Sequence, residues 1–131
     1  MILDTSAVVA ILLREPDAQE LAEAIETADQ VRASAGTYVE LGAVIDGKRN
    51  AALSRRLDEF LAEAAVVIEP VTPEQARIAR EAYRDFGRGS GHPAQLNFGD
   101  CFAYALAKDK AEPLLFKGDD FRRTDARRAN S

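Results

Sequence analysis

The sequence predicts an α/β fold, a parallel sheet with helices on both faces. Three observations carry this reading. Short apolar runs alternate with longer stretches of helical periodicity along the whole chain. Strands separated by helices pair in parallel through right-handed crossovers. The 131 residues, nearly half of them hydrophobic, suffice for one domain, 1–131, with a proper core.

The elements follow in order. "MILD" is a short strand, and "TSAVVAILLR" has the apolar density of a buried helix. "EPDAQELAEAIETAD" repeats Leu21, Ala22 and Ile25 at helical spacing, with Pro16 suited to a first turn. "QVRASA" is a strand. "GTYVELGAVIDGKRN" is a helix with Tyr38, Leu41 and Ile45 on one stripe, stopped at Gly47 or Asn50. "ALSRRLDEFLAEAA" is amphipathic, with Leu53, Leu57, Phe60 and Leu61 inward. "VVIEPV" is a strand. "TPEQARIAREAYRDF" starts with Thr72 as cap, Pro73 in first position and Gln75 three residues after the cap. "GRGSGHPAQLN" is a glycine-rich loop, "FGDCFAYALAKDK" an apolar helix and "PLLF" a strand. The polar tail has room for one more short strand.

Composition excludes several classes. Cys101 is the sole cysteine, so no intrachain disulfide forms and a reducing, cytoplasmic setting is expected. No basic leader precedes the first apolar segment, and no apolar run approaches membrane-spanning length. The net charge of −5 argues against a broadly basic nucleic-acid binder. Basic residues come in doublets at 48–49, 55–56, 122–123 and 127–128, a pattern that fits solvated surface.

Acids in apolar company point to chemistry. Asp4 ends the first strand, and Asp119 and Asp120 lie just past the last; ligands of parallel sheets sit beyond such carboxyl ends. Glu40 and Asp100 each interrupt an apolar helix with no base one turn away. The ordinary reading is weakest for Glu40, which stands in a second helical turn among apolar neighbours; the others have one beside this. Asp4 suits a helix cap, Asp100 suits a first turn capped by Asn97, and a Gly-Asp pair suits a turn. Clustered carboxylates repel one another, so they need a cation. Oxygen ligands select magnesium or manganese, not zinc, and His92 stands alone. Such ions meet substrates through phosphate oxygens and serve phosphodiester hydrolysis. No Walker loop, Ser-His-Asp set or dinucleotide fingerprint is present.

"MILDTSAVVAILLREP", "GTYVELGAVI", "GHPAQLNFGDCFAYALAK" and "PLLFKGDDF" together resemble the signature blocks of PIN-domain ribonucleases, and more closely the VapC toxins of VapBC toxin–antitoxin pairs. The resemblance implies a three-layer α/β/α sandwich with a central parallel sheet of four or five strands. It implies magnesium-dependent cleavage of RNA, with manganese able to substitute, a homodimer and a cognate VapB-like antitoxin. Asp4, Glu40 and Asp100 fall on the family's acids, and Thr5 or Ser6 on its small hydroxyl. The fourth acid is Asp119, with Asp120 as the alternative. Asp4 and Asp100 would hold the metal, Glu40 would orient or deprotonate water, and Asp119 would complete the ring. Two readings compete. In a receiver or phosphatase an aspartate becomes phosphorylated, but "VVIEPV" offers no acceptor and Ser6 stands where a second phosphatase acid belongs. A non-catalytic PIN-like binding module is the other. The apolar segments "SAVVAILL" and "TYVELGAVIDG" suit a groove for an amphipathic partner helix, or else core and homodimer interface.

Overall fold

The computed structural model describes residues 1–129. In chain order the elements are β1 (Ile2–Leu3), α1 (Thr5–Leu12), α2 (Ala18–Thr27), β2 (Arg32–Ser34), α3 (Ala35–Asp46), α4 (Ala51–Glu63), β3 (Val67–Glu69), α5 (Pro73–Phe86), α6 (Asp100–Lys110) and β4 (Leu114–Leu115). The four strands form one parallel sheet in the order β3-β2-β1-β4. Asn130 and Ser131, included in the expected domain, lie outside the described residues.

The pleat of the sheet sorts the core into two layers. Ile2 and Leu114 face one side, where Ala79 and Ala82 of α5, Leu106 of α6 and Phe116 cover them. Leu3 and Leu115, one residue along, face the other side and meet Val8, Leu21, Leu41, Ile45, Leu53 and Leu57. All of these are buried, so the sheet is apolar on both faces, as a parallel sheet between two helical layers must be. The expected three-layer sandwich is the observed one.

Helix starts follow local chemistry. Ser34 caps α3 by accepting from the Gly36 N–H at 3.1 Å, and Asn50 caps α4 by accepting from Leu53 at 3.1 Å. Thr72 accepts from the Gln75 N–H at 3.1 Å, with Pro73 in the first turn as the sequence predicts. Helix α2 departs from expectation: it begins at Ala18, so Pro16 lies in the preceding turn rather than inside the helix. The inward stripe of α3 also differs. Thr37, Leu41 and Ile45 are fully buried, whereas Tyr38 is 44% exposed. The positions four apart keep the register, and the small Thr37 fits where the large Tyr38 would not. The tail adds a rudimentary fifth strand. Leu114 donates to the Arg127 carbonyl at 2.8 Å and accepts from the Ala129 N–H at 2.9 Å, a single parallel bridge beyond β4.

Candidate active site

A cleft of about 460 Å³ opens at the carboxyl ends of β1 and β4, lined by Asp4, Thr5, Ser6, Glu40, Asp100 and Asp120 among others. Its acids arrive from different elements for local reasons. Asp4 follows β1 and caps α1: its Oδ2 accepts from the Ser6 N–H at 3.0 Å and the Ser6 hydroxyl at 2.6 Å. The Ser6 Oγ in turn accepts from the Lys117 N–H at 3.0 Å, tying the chain after β4 to the start of α1. Asp100 sits in a reciprocal cap with Asn97. Its Oδ2 accepts from the Asn97 N–H at 3.0 Å, while Asn97 Oδ1 accepts from the Asp100 N–H at 2.8 Å. Glu40 comes from the second turn of α3, where its Oε1 accepts from the Thr5 hydroxyl at 2.5 Å.

Two glycines let α3 approach α6 closely. A Cβ on Gly36 would stand 2.4 Å from the Phe102 ring, and one on Gly99 only 1.8 Å from Glu40 Oε2. Gly36 and Glu40 lie one turn apart on α3, so this face seats Glu40 beside the start of α6 and hence beside Asp100.

A carboxylate has two oxygens, so a hydrogen bond made by one leaves the other available. One oxygen of Asp4 caps a helix; the other, Oδ1, is buried with no hydrogen-bond partner. The capping bond of Asp100 likewise uses Oδ2 alone. A buried carboxylate oxygen without a donor is costly unless something positive meets it. The electrostatics agree. Burial pushes Asp4 up to about 6, against the lowering bonds from Ser6 and with help from the charge of Glu40. Burial, then the charges of Asp4, Asp120 and Glu40, push Asp100 up to about 8, while the Asn97 N–H opposes the rise. The set fits a hard cation, being all oxygen, mutually repelling and carrying an orphaned atom. Among the described residues no three Asp, Glu, His or Cys side chains are gathered tightly enough to cage an ion alone. An ion that keeps most of its water needs only one or two direct carboxylates.

The structure brings Asp4, Thr5, Ser6, Glu40 and Asp100 together, and separates the two adjacent acids of the "GDD" turn. Asp120 lines the cleft and its charge is felt by Asp100. Asp119 is 80% exposed, pairs with Arg122 at 3.2 Å and does not line the cleft. Sequence reasoning missed Lys117, whose ammonium pairs with Glu15 and whose backbone anchors Ser6. It also missed Gly99 as the residue that makes room for Glu40. The "FGD" spacing was the available signal for Gly99; none pointed to Lys117. His92 is a loop anchor: its Nδ1 accepts from the Ala94 N–H at 3.0 Å and its ring stands edge-on to Phe86. A larger cavity of about 610 Å³, lined by Ile25, Phe60 and Val67 among others, gathers no comparable set of buried acids.

A family model described as PIN domain matches residues 1–127. Ribonuclease VapC28 of Mycobacterium tuberculosis is 59% identical over 129 residues, covering 98% of this chain and 97% of its own. This chain belongs to the VapC ribonucleases of the PIN-domain family. Ribonuclease VapC42 of the same organism is 52% identical over 129 residues, with 98% of each chain covered. Membership sets aside the receiver and phosphatase readings. Among solved structures, VapC20 of M. tuberculosis, described as a Sarcin-Ricin loop cleaving toxin, superposes with a TM-score of 0.77 at 14% identity, covering 99% of this chain and 98% of that one. VapBC2 from Rickettsia felis, bound to a DNA fragment from its promoter, gives 0.73 at 16% identity over 97% and 94%. At these identities the likeness speaks for the fold alone. Among the described residues no helix is long and apolar enough to cross a membrane.

Proposed function

We propose that this VapC ribonuclease is the toxin of a type II toxin–antitoxin pair, an endoribonuclease that hydrolyses RNA phosphodiester bonds with magnesium, or manganese in its place. The observation that carries the reading is Asp4 Oδ1, buried and partnerless at the centre of converging acids. Asp4 and Asp100 would hold the ion. When bound, it neutralises charge on the phosphodiester and activates water. Ser6 keeps Asp4 fixed through two bonds to one oxygen, leaving the other aimed at nothing in the protein. Glu40, steadied by the Thr5 hydroxyl, is the base that takes the proton of the attacking water. Asp120 completes the acidic ring, with Asp119 outside it.

The partner reading rests on apolar surface beside the cleft. Val39 is 70% exposed and Phe98 73% exposed, with Tyr38 and Val44 partly so. These exposed apolar side chains suit a homodimer contact and the helix of a VapB-like antitoxin. An antitoxin arginine reaching the acids would displace the ion and block RNA. Solved structures of similar fold that hold a toxin with its antitoxin, among them VapBC2 of R. felis, support such an assembly.

The test is cleavage of total cellular RNA by purified protein. Magnesium or manganese should support cutting, chelator should stop it, and Asp4→Asn should abolish it with an unchanged circular-dichroism spectrum. Full activity in Asp4→Asn, or in chelator, refutes the site.

A further inference from the structure

A second cavity lies one helical turn along α1 and α3 from residues of the cleft, and its charged lining is basic. It measures about 420 Å³ and is lined by Arg14, Lys48, Asn50 and Arg56 over a floor that includes the buried Leu12 and Leu53. No acid lines it, in a chain whose acids outnumber its bases 22 to 17. The three bases come from three places: the end of α1, the turn after α3, and α4. Among the described residues none of the three makes an ion pair. The neighbouring acid Glu59 takes its ion pair from Arg55, at 3.8 Å. The basic doublets therefore split: Lys48 and Arg56 enter the cavity while Arg49 and Arg55 do not line it. Arg14 and Arg56 also border a neighbouring opening lined by Glu59 and Glu63, but on this side the three bases face one another with no acid between them, an arrangement that an anion relieves.

The same two helices line both openings. Val9 of α1 and Val44 of α3 line the cleft; Leu13, just beyond α1, and Lys48, one turn past Val44, line the basic cavity. Val44 and Leu13 are each 38% exposed, so the trough between has an apolar bed. From Glu40 to Asp46, where α3 ends, the helical rise is about 9 Å, and Lys48 lies two residues beyond, so a single strand crosses the gap in a few nucleotides. The acidic cleft repels RNA, so a strand entering it needs cations nearby.

We infer that Arg14, Lys48 and Arg56 form a phosphate-binding subsite that grips the RNA backbone a few nucleotides from the bond being cut. This rests on the nuclease reading above and adds where the flanking strand runs. Such groups read charge, not sequence, so the subsite contributes affinity without choosing the target.

The test uses Asp4→Asn protein, which binds without cutting, and a labelled single-stranded oligouridylate across a salt series. Replacing Arg14, Lys48 and Arg56 together by alanine should weaken binding tenfold or more. It should flatten the slope of log affinity against log salt by about 2, at roughly 0.7 for each phosphate that is no longer neutralised. Arg14→Lys with Arg56→Lys, which keeps the charge, should restore both affinity and slope. All three side chains are exposed, so the fold should hold; an unchanged melting temperature checks this. Unchanged affinity and slope in the folded triple variant overturn the subsite. So does a triple variant that binds RNA normally but no longer co-purifies with the protein encoded beside it, since the cavity would then belong to that partner. An Asp4→Asn parent that binds no RNA at all, from a wild-type protein that cuts none, refutes the nuclease reading itself and the subsite with it.

Discussion

Asp4→Asn should make the metal-free protein more stable, and only above acidic pH. The asparagine carbonyl can keep the two bonds from Ser6, and its amide would occupy the place of the partnerless Oδ1 without adding charge beside Glu40. The native carboxyl titrates at about 6 against an ordinary 3.8. A value raised by folding means the folded state holds its proton more tightly than the unfolded chain. Stability from Asp4 is therefore whole below the unfolded value and is lost as pH rises through about 6; Asp100 extends the loss towards about 8. At about 1.4 kcal/mol per pKa unit, Asp4 costs the neutral-pH apo fold about 3 kcal/mol. The amide still pays burial, so about 2 kcal/mol should return, or about 5–10 °C in melting temperature for a domain of this size. The assay is thermal unfolding of both proteins in chelator, from about pH 4 to pH 8. The curves should meet at the acidic end and part steadily above it. A variant equal to or less stable than the native protein throughout would mean that Asp4 is a helix cap and nothing more.

Other outcomes follow from the same geometry. Millimolar magnesium should raise the melting temperature of the native protein by binding its folded state, and should do little for Asp4→Asn. Gly99→Ala should displace the Glu40 carboxylate and cut RNA cleavage at least tenfold while costing little stability, since the atom it meets is the tip of a half-buried side chain; cleavage rates and melting curves together check this. Asp120→Asn should lower cleavage more than Asp119→Asn, which should stay within about twofold of native because its carboxylate already serves Arg122 at the surface. Thr37→Val, which removes a buried hydroxyl that has no partner, should stabilise the fold by about 1 kcal/mol in denaturant titration.

Much of the fold was legible in the chain. Alternating strands and helices, with apolar residues on every strand, leave few arrangements other than a doubly covered parallel sheet. Asp4, Glu40 and Asp100 stood out because each broke an apolar run without a local partner. What the sequence did not show depends on direction. The two acids after "FKG" are adjacent in the chain, and only the path of the turn sends Asp120 to the cleft and Asp119 to Arg122. Tyr38 and Thr37 likewise differ by one position and by which face of α3 they take. Capping and catalysis also looked like rival roles for Asp4 and Asp100. They are compatible because a cap uses one carboxylate oxygen and leaves the other. The basic cavity was hidden for a similar reason: Arg14 lies far in sequence from Lys48 and Arg56, and the three meet only when α1, α3 and α4 pack together.

The free oxygens of the buried acids exist, on this account, to hold a divalent ion. Calorimetric titration of manganese into the purified, chelator-stripped protein tests that claim most directly. The native protein should bind manganese saturably, Asp4→Asn and Asp100→Asn should each lose at least tenfold in affinity, and Asp119→Asn should bind as the native protein does. Equal manganese affinity in native and Asp4→Asn protein would contradict the account.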